Sequence, residues 1–81
     1  MTETETKVRA VVARAAKRND PDTLPSDADL FRELGVESTA ALDVLLSLEE
    51  EFDVQIPDDA FGDARTVRAL VALVESLGAG A

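Results

Sequence analysis

A chain of 81 residues with no cysteine, histidine, tryptophan or tyrosine keeps only carboxylates as candidate acid/base groups, which argues against an enzyme that does its own chemistry. The missing cysteines also remove a disulfide framework and any thiolate metal site. Seventeen acidic against eight basic residues, a net charge of −9, disfavour nucleic acid and anionic membrane as partners and favour basic protein surfaces.

The length fits a single domain over residues 1–81, and with only three Phe its core has to come from Val, Leu, Ile and Ala. The opening residues Met1 to Glu5 are polar and acidic, unlike a secretory signal, and no apolar run approaches the roughly 20 residues of a membrane span. The expected location is the cytoplasm. Thr2 with Glu5 three residues on reads as a capping box that opens a first helix between Thr2 and Asn19. Val8, Val11, Val12, Ala15 and Ala16 form its apolar stripe, surrounded by basic residues. Asp20-Pro21-Asp22 is expected to end it, because proline disfavours α conformation in the residue before it.

A long connection from Asp20 to about Glu37 follows. Ser26-x-x-Asp29 predicts a short helical turn inside it, with Leu30, Phe31 and Leu34 tucked under the bundle and Gly35 turning the chain. The second main helix is predicted over Ser38 to Phe52. Ala41, Val44, Leu45, Leu48 and Phe52 form its core face. Leu42 and Leu46 share a neighbouring stripe with Thr39, Asp43, Glu49, Glu50 and Asp53. That stripe reads in two ways: as a docking surface for a basic, partly apolar partner, or as the margin of a wide buried face.

Asp53 to Pro57 is expected to be extended, with Val54 and Ile56 alternating, and Asp58 to Phe61 to form one short turn. Thr66 caps a last helix whose core residues are Val67, Leu70, Val71, Val74 and Leu77, with Gly78 as its stop. The fold class is therefore all-α, a four-helix bundle of three main helices and one short one with a long first loop. Charge is segregated along it: residues 1–19 carry +3, whereas residues 20–63 carry −13.

Ser38 follows Gly35-Val36-Glu37 at the head of the second helix. As an N-cap its hydroxyl would accept a backbone N–H bond, a contribution of about 1 kcal/mol. As a modification site it would set a phosphoryl group against free N–H donors and the helix dipole. The paired aspartates elsewhere lack the order and central glycine of a calcium loop, so no metal site is expected.

The run Phe31-Arg32-Glu33-Leu34-Gly35-Val36-Glu37-Ser38, followed by Leu48-Glu49-Glu50-Glu51-Phe52-Asp53-Val54-Gln55-Ile56-Pro57-Asp58, resembles the acyl carrier protein family over nearly the whole chain. The resemblance implies a non-catalytic carrier. Its Ser38 receives 4'-phosphopantetheine from coenzyme A through a magnesium-dependent phosphopantetheinyl transferase, and the thiol of that arm holds acyl or aminoacyl groups as thioesters. It also implies that Glu37, Thr39, Leu42, Asp43, Leu46, Glu49 and Glu50 meet basic partners: a loading enzyme, an acyltransferase or a ketosynthase. A monomer is expected. Glu37, Thr39 and Ala40 depart from the residues usual in fatty-acid carriers, which points to a specialised pathway of the polyketide or aminoacyl-starter type, in antibiotic or related biosynthesis. The rival from another class is a non-carrier acidic adaptor in which Ser38 is only a cap.

Overall fold

Thr2 Oγ1 accepts the Glu5 N–H at 3.1 Å, and the helix it caps, α1, runs Glu3–Ala15. It is the first of four α-helices in the computed structural model, which describes residues 2–79; α2 spans Ser38–Phe52, α3 Asp58–Asp63 and α4 Val67–Val74. The described residues contain no strand, so the all-α bundle expected from periodicity is the observed fold. Met1, Gly80 and Ala81, the ends of the expected domain, lie outside the described residues.

Helix α1 stops earlier than Pro21 requires. Lys17 takes a left-handed conformation at φ 59, the Arg18 N–H returns to Ala13 O at 2.8 Å and the Lys17 N–H to Arg14 O at 3.2 Å. This pair of bonds is a Schellman ending built on a lysine where glycine is usual. Pro21 instead opens a 3-10 turn, Pro21–Thr23, within the connection. The buried arc of α1 is wider than the valine stripe: Ala13 is buried, Ala15 and Ala16 are half-buried, and Arg9 is only 6% exposed.

Arg9 holds the first half of the long connection. Its Nε donates to Glu5 Oε2 at 2.9 Å, Nη1 to the carbonyls of Pro21 and Leu24, and Nη2 to Ser26 Oγ at 2.6 Å. A loop without regular structure still has carbonyls that need donors, and one planar fork serves two of them together with a hydroxyl. The second half is tied by Asp29. Its Oδ1 accepts from the Phe31 and Arg32 N–H groups at 2.9 Å each, and Glu33 Oε2 accepts the Asp29 N–H at 2.7 Å. The expected turn is therefore real but opens at Asp29, because Ser26 is occupied by Arg9. Arg65, ahead of α4, donates Nε to Asp29 Oδ2 at 2.9 Å and stacks over Phe31 at 4.9 Å. That contact leaves Phe31 half-buried rather than in the core.

The pinned connection puts Leu24, Ala28, Leu30, Leu34 and Val36 into the core beside Val8, Val12, Leu48, Val67 and Leu70. Each buried leucine or valine contributes about 1.5–3 kcal/mol relative to exposure. After α2 the chain is not extended from its first residue. Asp53 caps the helix in a left-handed conformation at φ 53, and only then does Ile56 reach the core. The expected turn from Asp58 to Phe61 is a six-residue helix, α3.

Thr66 Oγ1 accepts from the Ala69 N–H at 3.0 Å, so α4 begins where its cap predicts. Its end differs. Glu75–Ala79 widens into a π turn, which slows the rotation of successive side chains and leaves Leu77 38% exposed instead of in the core. Gly78 sits inside that turn rather than stopping the helix. A Cβ there would lie 2.5 Å from Val54 Cγ1, so the glycine permits close packing on the segment after α2.

The Arg65 hydrogen bond, then those from the Arg32 and Phe31 N–H groups, hold the Asp29 carboxyl well below the usual carboxylate range. A depressed carboxylate stabilises the fold fully above its unfolded value, about 3.9, and that contribution fades as pH falls toward the folded value. Urea denaturation of wild type and Asp29→Asn should show a stability gap that is constant above about pH 5 and shrinks progressively below about pH 4. A gap of equal size at pH 7 and pH 3 would mean the carboxylate charge is not what ties the turn.

Candidate functional site

The head of α2 is placed by what precedes it. The Val36 N–H bonds to Leu30 O at 2.9 Å, Gly35 takes φ 76, and the side chains of Leu34 and Val36 are buried on either side of it. A left-handed residue between two anchors needs glycine, since a Cβ is strained at that φ. The chain then leaves the core, and Glu37, Ser38 and Thr39 are all exposed.

Ser38 is not the N-cap. That position falls to Glu37, which makes no side-chain capping bond, and Ser38 is the first residue of the helix. Among the described residues its hydroxyl has no hydrogen-bond partner, and it stands next to N–H groups that no side chain caps. The first turn of α2 also contains no acid. A free hydroxyl, uncapped N–H donors and the positive end of a fifteen-residue helix are what a phosphodiester on Ser38 requires. The residues present therefore fit a phosphopantetheine arm.

The stripe that follows is not the margin of a buried face. Leu42 is 58% and Leu46 49% exposed, so they lie outside the core, while Val44, Leu45 and Leu48 take the buried face. Thr39, Asp43 and Glu50 are exposed along the same side. Glu49 differs. It is half-buried, and its Oε2 accepts the N–H of buried Ile56 at 2.9 Å, fastening the segment after α2 back onto the helix. Glu49, Glu50, Asp53 and Pro57 line an open concavity there. Leu42, Leu46 and Glu50 thus share one exposed side of α2, with Leu42 about one turn from Ser38, whereas Glu49 has a structural duty that the sequence pattern did not disclose.

Arg9, and the role of Asp29 as acceptor for the Phe31 and Arg32 N–H groups and for Arg65, are what the sequence pattern missed. The signal for Arg9 was an arginine beside the Val8/Val12 stripe, facing a long proline-containing loop in need of donors. For Asp29 it was the Asp-x-x-x-Glu spacing up to Glu33. No group of three or more His, Cys, Asp or Glu positioned to hold a metal occurs among the described residues, and no helix there is long and apolar enough to cross a membrane.

With this geometry in place, comparison with known proteins gives consistent results. Residues 6–74 match the family model described as the phosphopantetheine attachment site. The chain is 32% identical over 59 residues to an acyl carrier protein of Bdellovibrio bacteriovorus, covering 73% of this chain and 76% of that one. It is 38% identical over 61 residues to an acyl carrier protein of Phenylobacterium zucineum, covering 74% and 77%. Among solved structures it superposes, with TM-score 0.76 and 25% identity over 91% of this chain and 99% of the other, on a chain in the crystal structure of engineered Bradyrhizobium japonicum glycine:[carrier protein] ligase complexed with carrier protein from Agrobacterium tumefaciens and ATP.

The exposure of the stripe has a measurable consequence. Leu42→Ala, Leu46→Ala and Glu50→Ala should each change unfolding free energy by less than about 0.5 kcal/mol. Glu49→Ala should cost about 1–3 kcal/mol, because it leaves the Ile56 N–H without its acceptor. Urea titrations of the four variants check this, and a loss of about 2–5 kcal/mol at either leucine would instead place that leucine in the core.

Proposed function

The chain belongs to the acyl carrier protein family, a non-catalytic carrier with a phosphopantetheine attachment domain, and from that premise we propose that Ser38 is the residue that bears the 4'-phosphopantetheine arm. The observation that carries this reading is the exposed Ser38 hydroxyl, free of any cap, at a helix start whose N–H groups have no side-chain acceptor. When bound, the group supplies a flexible thiol that holds acyl or aminoacyl cargo as a thioester. Ser38 supplies only the attachment oxygen. The chain has no imidazole to accept its proton, and in this reading a phosphopantetheinyl transferase provides the base.

The exposed side of α2 is the docking face in this reading. Leu42 and Leu46 make the apolar contact, and Asp43, Glu50, Glu37 and Thr39 surround it with polar and acidic groups that meet a basic enzyme surface. Rim charges of this kind steer encounter more than they hold the complex. Glu49 contributes charge to the same end of α2 but is spoken for by Ile56. The partner is an acyl- or aminoacyl-loading enzyme, and the superposition on a chain from a complex of a glycine:[carrier protein] ligase with a carrier protein supports that class. Acyltransferases and ketosynthases are further partners of the same chemistry. Thr39 and Ala40 at the head of α2 support a dedicated carrier of polyketide, antibiotic or related specialised biosynthesis over the general fatty-acid carrier, working as a monomer in the cytoplasm.

Incubation with coenzyme A, magnesium and a broad-specificity transferase should add one phosphopantetheine mass to the wild type and none to Ser38→Ala. Because the hydroxyl makes no hydrogen bond among the described residues, the two proteins should have melting temperatures within the scatter of a surface substitution. Mass gain by Ser38→Ala would refute the assignment.

A further inference from the structure

Helices α1 and α2 run antiparallel: Lys7, near the start of α1, reaches Glu51, near the end of α2, at 3.6 Å, and the end of α1 meets the first half of α2. Of the eight basic residues, Lys7, Arg9, Arg65 and Arg68 form ion pairs among the described residues. Arg14, Lys17 and Arg18 do not, and all are exposed together at the end of α1. Arg14 and Lys17 line a groove of about 350 Å³, which has Val11 and Val44 in its apolar floor and Asp43 and Ser47 on its α2 wall. The end of α1 is therefore a basic patch on a chain whose total charge is −9.

Lys17 holds the left-handed position of the Schellman ending at φ 59, a conformation strained for every L-residue and open to glycine. A cation thus stands where backbone geometry favours glycine, and strained residues of this kind cluster at sites that hold a ligand. The place of the patch matters as well. Ser47 follows Ser38 by about two and a half turns at about 3.6 residues per turn, so the groove lies on the opposite side of α2 from Ser38. Leu42 and Leu46 stay on the Ser38 side.

We propose that the groove and the cations beside it form a second docking surface, whose partner is an acidic, partly apolar segment of another protein. Arg14, Lys17 and Arg18 pair with its carboxylates, an apolar side chain of the segment lies in the groove over Val11 and Val44, and Asp43 repels carboxylates from the α2 wall toward α1. Nucleic acid and anionic membrane spread their charge over a far larger surface, which would bring them against the acids of residues 20–63. A short acidic segment meets the patch alone. A partner bound there leaves Ser38, Leu42 and Leu46 uncovered, so the chain is held by one protein while the other side of α2 meets a second. This surface does not depend on Ser38 bearing the arm.

Titration of the unmodified full chain with a blocked amphipathic helical peptide of glutamate and leucine, followed in ¹H–¹⁵N spectra at low ionic strength, tests the surface. The amides of Val11, Arg14, Lys17, Arg18 and Ser47 should shift, and those of Ser38, Leu42 and Leu46 should keep their positions. The double variant Arg14→Ala, Lys17→Gly should bind about tenfold more weakly, since it keeps only Arg18 of the patch. It should fold as well as the wild type, because glycine suits φ 59 and Arg14 is exposed. The same peptide with serine in place of leucine should also bind more weakly than the original. Shifts centred on Leu42 and Leu46, no shifts at all, or unchanged affinity in the double variant would overturn the proposal. Equal binding of the serine peptide, or the same shifts from phosphatidylglycerol vesicles, would overturn it by showing an unselective anion site.

Discussion

The arrangement depends on one buried cation. Between the end of α1 and the start of α2 the chain crosses the bundle with a single 3-10 turn as its only regular structure. Such a segment can enter a core only if its carbonyls find donors, since an unpaired buried polar group costs roughly 1–3 kcal/mol. Arg9 supplies them from one side chain, reaching Pro21 O, Leu24 O and Ser26 Oγ while Glu5 takes its Nε. Burying a guanidinium is itself costly, and it is tolerated here because nearly every direction of the fork is used, with a carboxylate on one edge.

From Arg9 the constraint passes along the loop to Ser38, the proposed attachment residue. Ser26, held by Arg9 through its hydroxyl, offers its carbonyl to the Arg68 N–H in α4, and the Leu30 N–H reaches Arg65 O just ahead of that helix. Asp29 ties the same stretch to Arg65 through a charge-assisted bond. Leu34 and Val36 then anchor the turn around Gly35, and the next three residues come out into solvent at the head of α2. The core residues and the proposed attachment and docking residues therefore lie on different surfaces of the same helix. Val44, Leu45 and Leu48 face the bundle, while Ser38, Leu42 and Leu46 are left free because the loop, rather than another helix, fills the remaining space.

Most of the helices were legible because their signals are local. Thr2 and Thr66 cap where they stand, and the Ser38 to Phe52 helix has the bounds that its period and the flanking Gly35 and Pro57 indicate. The misses share another cause. Lys17 ends α1 in a conformation that no propensity scale assigns to lysine, and Leu77 leaves the core because a π turn replaces the last α turn. Arg9 and Glu49 read as surface charges on periodicity, yet each serves backbone groups distant in sequence, at Leu24 and at Ile56, which only the folded chain brings near. Position in the sequence left Ser38 open as a cap or as a modification site, and the fold removes the first reading, since Glu37 takes the N-cap and Ser38 is the first helical residue.

Amide hydrogen exchange on wild type and Arg9→Lys tests most directly whether Arg9 makes the first connection part of the cooperative fold. Lysine keeps the charge but not the fork. In the wild type the amides of Leu30, Val36 and Arg68 should exchange about as slowly as those in the middle of α2. In Arg9→Lys they should exchange through local opening at least tenfold faster, while the α2 amides keep most of their protection. Equal protection of the loop in both proteins, or a wild-type loop that exchanges like open coil, would contradict the claim that Arg9 positions the segment leading to Ser38.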